Sequence, residues 1–262
     1  MIRSIYTGAS GMNAMQMHVD NISNNLSNVN TTGYKKTKLE FQDLLYQNIE
    51  EPGERVADQA KAPVGLQVGL GVKASANHRI FSQGSMTQTE NPLDIGISGS
   101  GFFQIAMPDG TIAYTRDGAF KVDPDGMIVN SDGFPLASEI IIPEDTTEIN
   151  IDKFGQVSAL LPGDSTAEVV GQIELATFIN PAGLKASGGN LLRETSASGE
   201  PVVSIPGMDG LGMTDQGFLE LSNVEMIDEM VNLISAQRAY EISSKSVTVS
   251  DEMLQVANQL KR

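Results

Sequence analysis

Apolar or small residues recur over the first 29 positions in alternating steps of four and three, the spacing of a coiled-coil seam. The seam comprises Met1, Ile5, Gly8, Met12, Met15, Val19, Ile22, Leu26 and Val29. It predicts one long amphipathic helix over residues 1–30. Because an isolated helix is only marginally stable in water, this apolar stripe needs a partner.

The predicted helix runs into a segment, Ser23 to Lys35, that reads SNNLSNVNTTGYK. Its four asparagines lower helix propensity, since their side chains compete for backbone hydrogen bonds. Gly33 can adopt a positive φ without strain, as a helix stop requires. We therefore expect the helix to end between Asn28 and Gly33.

A second seam near the other end of the chain is the best candidate partner. Its apolar positions are Ile227, Val231, Ile234, Ile242, Val249, Met253, Val256 and Leu260, with a stutter after Ile234. Ser222 and Asn223, followed by Glu225, predict a capping box at the start of this helix. The two helices, 1–30 and 219–262, are expected to form an antiparallel coiled-coil pair.

Antiparallel pairing would bring a basic run beside an acidic one. The basic residues are Lys35, Lys36 and Lys38, and the acidic ones are Glu220, Glu225, Asp228 and Glu229. We expect exposed ion pairs here, each contributing about 0 to 1 kcal/mol.

Two further regions lie between the helices, and both predict β-structure. In residues 31–76, helix-breaking glycines and prolines accompany strand-like alternation from Val64 to Val72, which predicts an extended hairpin or arm with a loop near 50–61. In residues 77–218, Asp-Gly pairs at 109, 117, 125 and 132 predict hairpin turns. Strands are expected at 101–106, 139–142, 148–151, 156–161 and 169–179. The predicted fold is mixed α and β, with an all-β domain, a small barrel or sandwich, inserted between the terminal helices.

Composition argues against most chemistry. The chain has no cysteine, two histidines in different regions and a net charge of −16, so we expect no thiol or metal site and no nucleic-acid binding. Gly69-x-Gly71-x-x-Ala74 lacks the helix that a dinucleotide site needs. We expect no enzyme activity, no cofactor, no membrane span and no cleaved signal peptide.

The segment Ser23–Lys35 resembles the N-terminal signature of the bacterial flagellar axial proteins, the rod and hook family. The matching positions are Ser23, Asn25, Leu26, Asn28, Asn30, Thr31, Gly33, Tyr34 and Lys35; Ser27 stands where the family often has Ala. Leu93–Ile105, Tyr114–Val129 and Gln216–Lys245 are also similar to family segments. Phe41–Lys73 resembles the segment that marks the distal-rod branch.

This resemblance implies a structural subunit that polymerises into a helical tube, with the paired helices inside and the β-domain outside. The tube would be the distal rod, a drive shaft that crosses the periplasm within the basal body. Implied partners are further copies of the chain, proximal-rod proteins, hook protein, envelope ring proteins and the flagellar type III export apparatus. Alternatives are a proximal-rod or hook paralogue, or a soluble binding protein or enzyme whose helices dimerise.

Three groups of residues are predicted to carry this function. The assembly interface comprises Ile5, Met12, Met15, Val19, Ile22, Leu26, Val29, Ile227, Val231, Ile234, Ile242, Val249, Met253, Val256 and Leu260. The junction between the first helix and the arm comprises the nine signature positions above with Ser222, Asn223 and Val224, and its asparagines are expected to bond across the junction or to adjacent subunits. The stiffening arm comprises Pro52, Gly53, Pro63, Gly65, Leu66, Gly69 and Gly71.

Overall fold

The structure is a computed structural model that describes residues 2–51, 55–57, 60–61, 64–143, 145–162 and 167–259. Helix α1 spans Ile2–Ser27 and helix α2 spans Met226–Gln259. The remaining described elements are strands and one short 3-10 helix, so the predicted mixed α and β class is confirmed. The chain divides into two compact units. The first contains Met1–Leu26, Thr37–His78 and Met226–Arg262, and the second contains Ser27–Lys36 and Arg79–Glu225.

In the first unit, α1 and α2 pack against each other. Ser250 Oγ donates a hydrogen bond to Ser4 Oγ at 3.1 Å, and Asn25 Nδ2 donates to Glu229 Oε2 at 3.3 Å. Between these contacts, a Cβ placed on Gly8 would lie 2.6 Å from Val247 Cγ2. Small residues thus allow the two helices to approach closely.

The face of α2 that packs inward is not the one that the apolar pattern indicated. Its buried or half-buried positions include Glu229, Leu233, Ala236, Ser243, Val247, Ser250 and Leu254. These recur in steps of three, four and seven, so they form a seam of mostly small and polar residues on one side of the helix.

The large apolar residues of α2 lie on the other side and are exposed. Exposed fractions reach 77% for Ile227 and 70% for Ile242; Val231, Ile234, Val249, Met253 and Val256 are also exposed. The expectation that these side chains meet α1 is therefore wrong, because close approach of the helices selects small side chains. Leu260 lies outside the described residues. On α1, by contrast, Ile22 is buried and Ile5, Met12, Met15, Val19 and Leu26 are half-buried; Val29, also half-buried, lies beyond the end of α1.

Where the structure describes it, the hairpin arm of the first unit contains six strands. They are β1 (Thr37–Asp43), β2 (Tyr46–Glu50), β3 (Arg55–Ala57), β4 (Ala60–Lys61), β5 (Leu66–Gly69) and β6 (Val72–Arg79), paired as β1-β6, β2-β5 and β3-β4. Helix α1 packs on the base of this arm. Asn21 Nδ2 donates to Thr37 O at 2.9 Å, and His18 meets Phe41 edge-on at 5.6 Å. Of the predicted arm residues, Pro52, Gly53 and Pro63 lie outside the described residues; Gly65 and Gly71 are half-buried, and Leu66 and Gly69 are exposed.

The second unit is an antiparallel β-structure. Its strands are β7 (Met86–Gln88), β8 (Ile95–Ser98), β9 (Phe102–Ala106), β10 (Ile112–Thr115), β11 (Lys121–Val122), β12 (Ile128–Val129), β13 (Glu148–Ile151), β14 (Gln156–Leu160), β15 (Glu168–Gln172), β16 (Leu175–Thr177), β17 (Lys185–Gly188), β18 (Leu191–Arg193), β19 (Val202–Ser204), β20 (Met213–Gln216) and β21 (Phe218–Glu220). A 3-10 helix, Pro181–Gly183, precedes β17.

The main sheet of this unit has six strands in the order β17-β18-β10-β9-β16-β19, and a three-stranded sheet has the order β13-β14-β15. Strand pairs β11-β12, β20-β8 and β21-β7 complete the described pairing. The core contains Phe103, Ile105, Val157, Ile173 and Leu175, each fully buried. Burial of apolar side chains is the main source of stability for a unit of this kind.

Three of the four Asp-Gly pairs form turns with a positive φ at the glycine, namely Gly110, Gly126 and Gly133. The turn predicted at Asp117-Gly118 is wrong: a Cβ on Gly118 would lie only 1.7 Å from Ile95 O, so this glycine serves close packing of two segments. The strand predicted at 139–142 is reduced to a single bridge, Met127 to Ile141.

The strand predicted at 169–179 is two strands, β15 and β16. The predicted capping box is also wrong. Helix α2 begins at Met226, and Ser222 Oγ instead accepts from the nearby Val224 N at 3.3 Å.

Candidate functional site

The residues that follow α1 form a compact loop in the second unit, residues 28–36, here called the signature loop. Thr31 N donates to Asn28 O at 3.2 Å, and Tyr34 N donates to Thr31 O at 3.3 Å, so the loop makes two successive turns. Gly33 has a φ of +67° and donates its N–H to Glu220 O at 2.8 Å. Helix α1 ends at Ser27, one residue before the predicted range, and Gly33 attaches the chain to β21.

The middle of the signature loop packs on Asp117. Thr32 Oγ1 donates to Asp117 Oδ1 at 2.8 Å, and Asn190 Nδ2 donates to Thr32 O at 3.3 Å and to Asp117 Oδ2 at 3.4 Å. A Cβ on Gly33 would lie 2.5 Å from Asp117 N. Both its backbone conformation and this close approach therefore require glycine at position 33.

The end of the signature loop carries a buried ion cluster of Lys35, Glu220 and Arg116, here called the ion triad. Lys35 Nζ lies 2.5 Å from Glu220 Oε1, and Arg116 Nη1 lies 3.3 Å from Glu220 Oε2. All three residues are 6% exposed or less. Lys35 was expected in an exposed ion pair, but the structure places it in a buried one. Removing one partner of a buried pair destabilises the folded state far more than removing one partner of an exposed pair.

Further hydrogen bonds surround the ion triad. Lys35 Nζ donates to Ser82 O at 2.8 Å, Gly84 N donates to Glu220 Oε1 at 2.8 Å, and Arg116 Nη2 donates to Gly99 O at 2.6 Å. Burial lowers the pKa of Lys35, although the Glu220 carboxylate opposes that shift. Burial lowers the pKa of Arg116 in the same way. The Glu220 carboxylate therefore forms ion pairs with two buried cations, Lys35 and Arg116.

Asn223 ties the signature loop to the segment that precedes α2. Its Oδ1 accepts from Lys36 N at 2.7 Å, while its Nδ2 donates to Ile80 O at 2.8 Å and to Ser82 O at 3.1 Å. The adjacent Val224 is buried. The structure thus brings the predicted residues Gly33, Lys35 and Asn223 into one network.

Other signature residues lie elsewhere. In the first unit, Asn25 is buried, and its Oδ1 accepts from Thr37 N at 2.9 Å. In the signature loop, Thr31 Oγ1 donates to Asn28 Oδ1 at 3.1 Å. Ser23 and Asn30 are exposed, and Leu26, Thr31 and Tyr34 are half-buried.

Sequence reasoning did not nominate Arg116, Asp117 or Asn190, although each bonds to the signature loop or to its ion triad. Arg116 and Asp117 occur in the segment Tyr114–Val129 that resembles the axial family, which was the one available signal. Asn190 lies outside every segment that carried that resemblance. The site is therefore a structural network that links distant parts of the sequence.

The described residues were also considered for metal binding and for membrane spanning. No cluster of three or more histidine, aspartate or glutamate side chains there has a geometry able to hold a metal ion. Neither described helix is long and apolar enough to span a bilayer.

The segments that form this network match models of known protein families. Three family models match: "Flagella basal body rod protein" over residues 5–35, "Flagellar hook protein FlgE/F/G D1 domain" over residues 96–159, and "Flagellar basal body rod FlgEFG protein C-terminal" over residues 215–260. These ranges include all nine signature positions, the segment with Arg116 and Asp117, and the segment with Glu220 and Asn223.

Relatives match over the whole chain. A flagellar basal-body rod protein FlgG from Borreliella burgdorferi is 49% identical, with 100% of both chains covered. Proteins of the same name from Caulobacter vibrioides and from the Buchnera of Acyrthosiphon pisum are 46% and 45% identical, each covering 99% of this chain and 100% of the relative. A solved structure of the Helicobacter pylori flagellar hook protein FlgE2 aligns with a TM-score of 0.24 at 15% identity, over 71% of this chain and 43% of that one.

Fold, site and matches together define a structural protein of the bacterial flagellum rather than an enzyme. The chain belongs to the flagellar basal-body rod protein family. Within that family it is similar over its full length to the proteins named FlgG. The expected distal-rod subunit, located in the flagellar basal body, is thereby confirmed.

Proposed function

We propose that this rod subunit assembles with copies of itself into a rigid helical tube that transmits torque from the motor to the hook. The observation that carries the proposal is the exposed apolar face of α2. Seven described residues form this face, here called the outer stripe: Ile227, Val231, Ile234, Ile242, Val249, Met253 and Val256. Large apolar side chains exposed along one face of a helix mark an interaction site.

The arrangement of the two helices supports a second copy as the occupant of the outer stripe. α1 and α2 pack against each other through small residues such as Gly8. The large apolar side chains of α2 therefore remain available for contacts with other molecules. We propose that the two helices form an antiparallel coiled-coil pair and that neighbouring pairs pack through the outer stripe to line the tube. On α1 the assembly interface would be completed by Ile5, Met12, Met15, Val19, Ile22 and Leu26, and just after α1 by Val29.

The domains of the subunit would have separate tasks in the tube. We propose that 1–30 and 219–262 form the inner tube, that 31–76 forms the connecting arm and that 77–218 forms an inserted outer β-domain. The arm carries exposed Leu45, Tyr46, Ile49 and Leu66, and Leu45 is 85% exposed. Contact of these side chains with adjacent subunits would stiffen the tube.

The proposed partners follow from membership of the rod family. Proximal-rod proteins and hook protein would continue the axis at the two ends, and envelope ring proteins would surround it. The flagellar type III export apparatus would deliver the subunit through the periplasm-spanning structure, which requires no cleaved signal peptide.

A charge placed in the outer stripe tests the assembly proposal. Val231→Asp and Ile242→Asp should abolish polymerisation and motility while circular dichroism and the thermal midpoint stay near wild type, because both side chains are exposed in the single chain. Thr248→Asp, which adds the same charge at an exposed position of α2 outside the stripe, is the matched control. Electron microscopy of concentrated protein reads the result. Normal tubes from both stripe variants would refute the proposal.

A further inference from the structure

The main six-stranded sheet of the second unit ends in two strands whose outer edges are open. These strands are β17 (Lys185–Gly188) and β19 (Val202–Ser204), and no described strand pairs with the outer side of either one. An open edge presents backbone N–H and C=O groups that a strand of another molecule can bind. Both edges are therefore candidate contact surfaces.

The edge formed by β19 is apolar. Proteins commonly protect an edge strand with charged side chains or with a covering loop. β19 contains no charge, and its two valines, Val202 and Val203, are 47% and 42% exposed. The exposed apolar surface continues into Ile205 and Met208, which follow the strand. This edge is thus suited to a β-strand as its partner.

The edge formed by β17 offers such a strand. All four of its residues are exposed, and Ala186, Ser187 and Gly188 have small side chains or none. Glycine within a strand is typical of a place where another backbone approaches closely. Lys185, the remaining residue of β17, makes no ion pair within the described part of the chain and is available to a carboxylate of another molecule.

The strand directions at the two edges also match. All five neighbouring pairs in the main sheet are antiparallel, so β17 and β19 run in opposite directions. A second copy displaced along the sheet, without being turned over, would therefore place its β17 antiparallel to β19 of the first copy. The sheet would continue from one copy into the next with regular antiparallel hydrogen bonding.

The overall charge restricts where copies of the second unit can meet. This unit has 21 acidic and 8 basic residues, so its copies repel one another except where a cation of one meets an anion of the other. Its exposed lysines, within the described residues, are Lys121, Lys153 and Lys185. Of these, Lys185 lies on an edge of the main sheet.

The local charges favour contact between unlike edges. Ser204 Oγ donates to Asp209 Oδ2 at 2.8 Å, so this carboxylate lies at the end of β19 that would meet Lys185 of a second copy. Two β19 strands paired antiparallel would instead place Asp209 of each copy near Glu200 of the other. Like charges that face each other across a strand pair destabilise it.

We propose that β19 of one subunit pairs with β17 of a second copy, with Ser204 opposite Lys185 and Val203 opposite Ala186. This contact rests on the proposed assembly, in which it would act together with the outer stripe. Two different surfaces meet, so the contact repeats head to tail in an open chain instead of closing into a dimer. A strand of three residues binds weakly alone, but it strengthens an assembly that a second surface already holds together.

Introduced cysteines report this contact directly, because the chain has none of its own. Val203→Cys combined with Ala186→Cys should form disulfides between copies, since opposite Cα atoms of an antiparallel pair lie about 4.5 to 5.5 Å apart, within disulfide reach. Within one copy the two positions are about 24 Å apart along the sheet, which prevents an internal disulfide. Mild oxidation of concentrated protein should therefore give a ladder of dimers, trimers and higher oligomers on a non-reducing gel.

Single-cysteine variants and a displaced pair are the controls. Val203→Cys alone should give little cross-linking, and dimers in the yield of the pair would overturn the proposal by showing that two β19 edges meet. Val169→Cys with Ala186→Cys places a cysteine on another exposed edge strand, β15, and should give no ladder. A ladder as strong as that of the Val203 pair would also overturn the proposal.

Charge variants in the double-cysteine protein test the alignment of the two strands. Lys185→Glu should slow cross-linking about fivefold, the effect of losing one cross-strand charge pair. Asp209→Asn, which keeps the shape of the side chain, should slow it in the same direction. Lys121→Glu makes the same charge reversal away from this edge and should leave the rate unchanged. Cross-linking of Lys185→Glu at the unchanged rate would overturn the proposed alignment.

Failure of this contact is distinguishable from failure of the proposed tube. The gel reads the strand contact, and electron microscopy of the same protein reads tubes. Tubes without a ladder would overturn the strand contact alone. A ladder in protein that forms no tubes would support the strand contact and count against the tube, and absence of both would overturn both.

Discussion

Glu220 Oε1 lies 2.5 Å from Lys35 Nζ, although the two residues are 185 positions apart in the sequence. Both side chains are almost fully buried, and Arg116 approaches the second carboxylate oxygen. The pair joins the signature loop to β21 within the second unit.

Glu220→Gln should destabilise the second unit by about 3 to 5 kcal/mol, because Lys35 and Arg116 would remain buried without their counter-charge. The measurement is urea unfolding followed by tyrosine fluorescence. Glu148→Gln, at an exposed position of β13, is the control and should change stability by less than about 0.5 kcal/mol. A loss below about 1 kcal/mol in Glu220→Gln would show that the ion triad does not stabilise the fold.

Gly33→Ala should cost considerably more stability than Gly110→Ala. Both glycines have a positive φ, +67° and +76°, so both variants carry the same kind of backbone strain, of order 1 kcal/mol. Only at Gly33 does the added Cβ meet backbone, since no atom lies within 4 Å of one on Gly110. Similar unfolding free energies for the two variants would contradict the close packing of the signature loop on Asp117.

Gly8→Ala should separate the helices of the first unit, because the new Cβ would lie 2.6 Å from Val247 Cγ2. We expect a lower thermal midpoint for the helical signal in circular dichroism. Gly8→Ala combined with Val247→Ala should recover most of that loss, since the clashing methyl group is removed. No recovery in the double variant would mean that Gly8 matters for another reason.

Stability should fall as pH rises from about 10 to about 12. Burial raises the pKa of Tyr114 to about 12, whereas the same group in the unfolded chain has its ordinary value near 10. The folded state therefore holds the proton that the unfolded state loses in this window, which favours unfolding as pH increases. Tyr114→Phe should show a shallower fall over the same window, measured by urea unfolding at each pH.

Tyr46→Phe serves as the control for the pH experiment, because Tyr46 is 55% exposed. Its stability profile should follow that of wild type. If Tyr114→Phe and Tyr46→Phe give identical slopes, Tyr114 is not the group responsible.

The helices and most turns were predictable because their signals are local. The spacing from Ile5 to Val29 implies a helix without any tertiary information, and Asp-Gly marks a turn wherever a hairpin follows. The outward direction of the large apolar residues of α2 was not predictable in this way. Periodicity identifies the most hydrophobic face of a helix. The contact of α2 with α1 depends instead on small side chains, which a pattern of large apolar residues leaves out.

The network around the signature loop escaped prediction for a different reason. Lys35, Arg116 and Glu220 are far apart in the sequence, and nothing local indicates that they share one buried site. Asp117-Gly118 was misread because Asp117 binds Thr32 and Asn190, and Gly118 packs against Ile95 instead of occupying a hairpin turn. Signals that depend on which segments meet in space are absent from a single sequence.

In the proposed assembly, the two faces of α2 make folding and association separately adjustable. Substitutions in the small-residue seam would change the stability of the subunit, and substitutions in the outer stripe would change how firmly copies bind one another. A lineage can therefore alter the mechanical strength of its rod without altering the stability of each subunit. The same separation carries a hazard, because a folded subunit already presents an adhesive surface before it reaches its place in the axis.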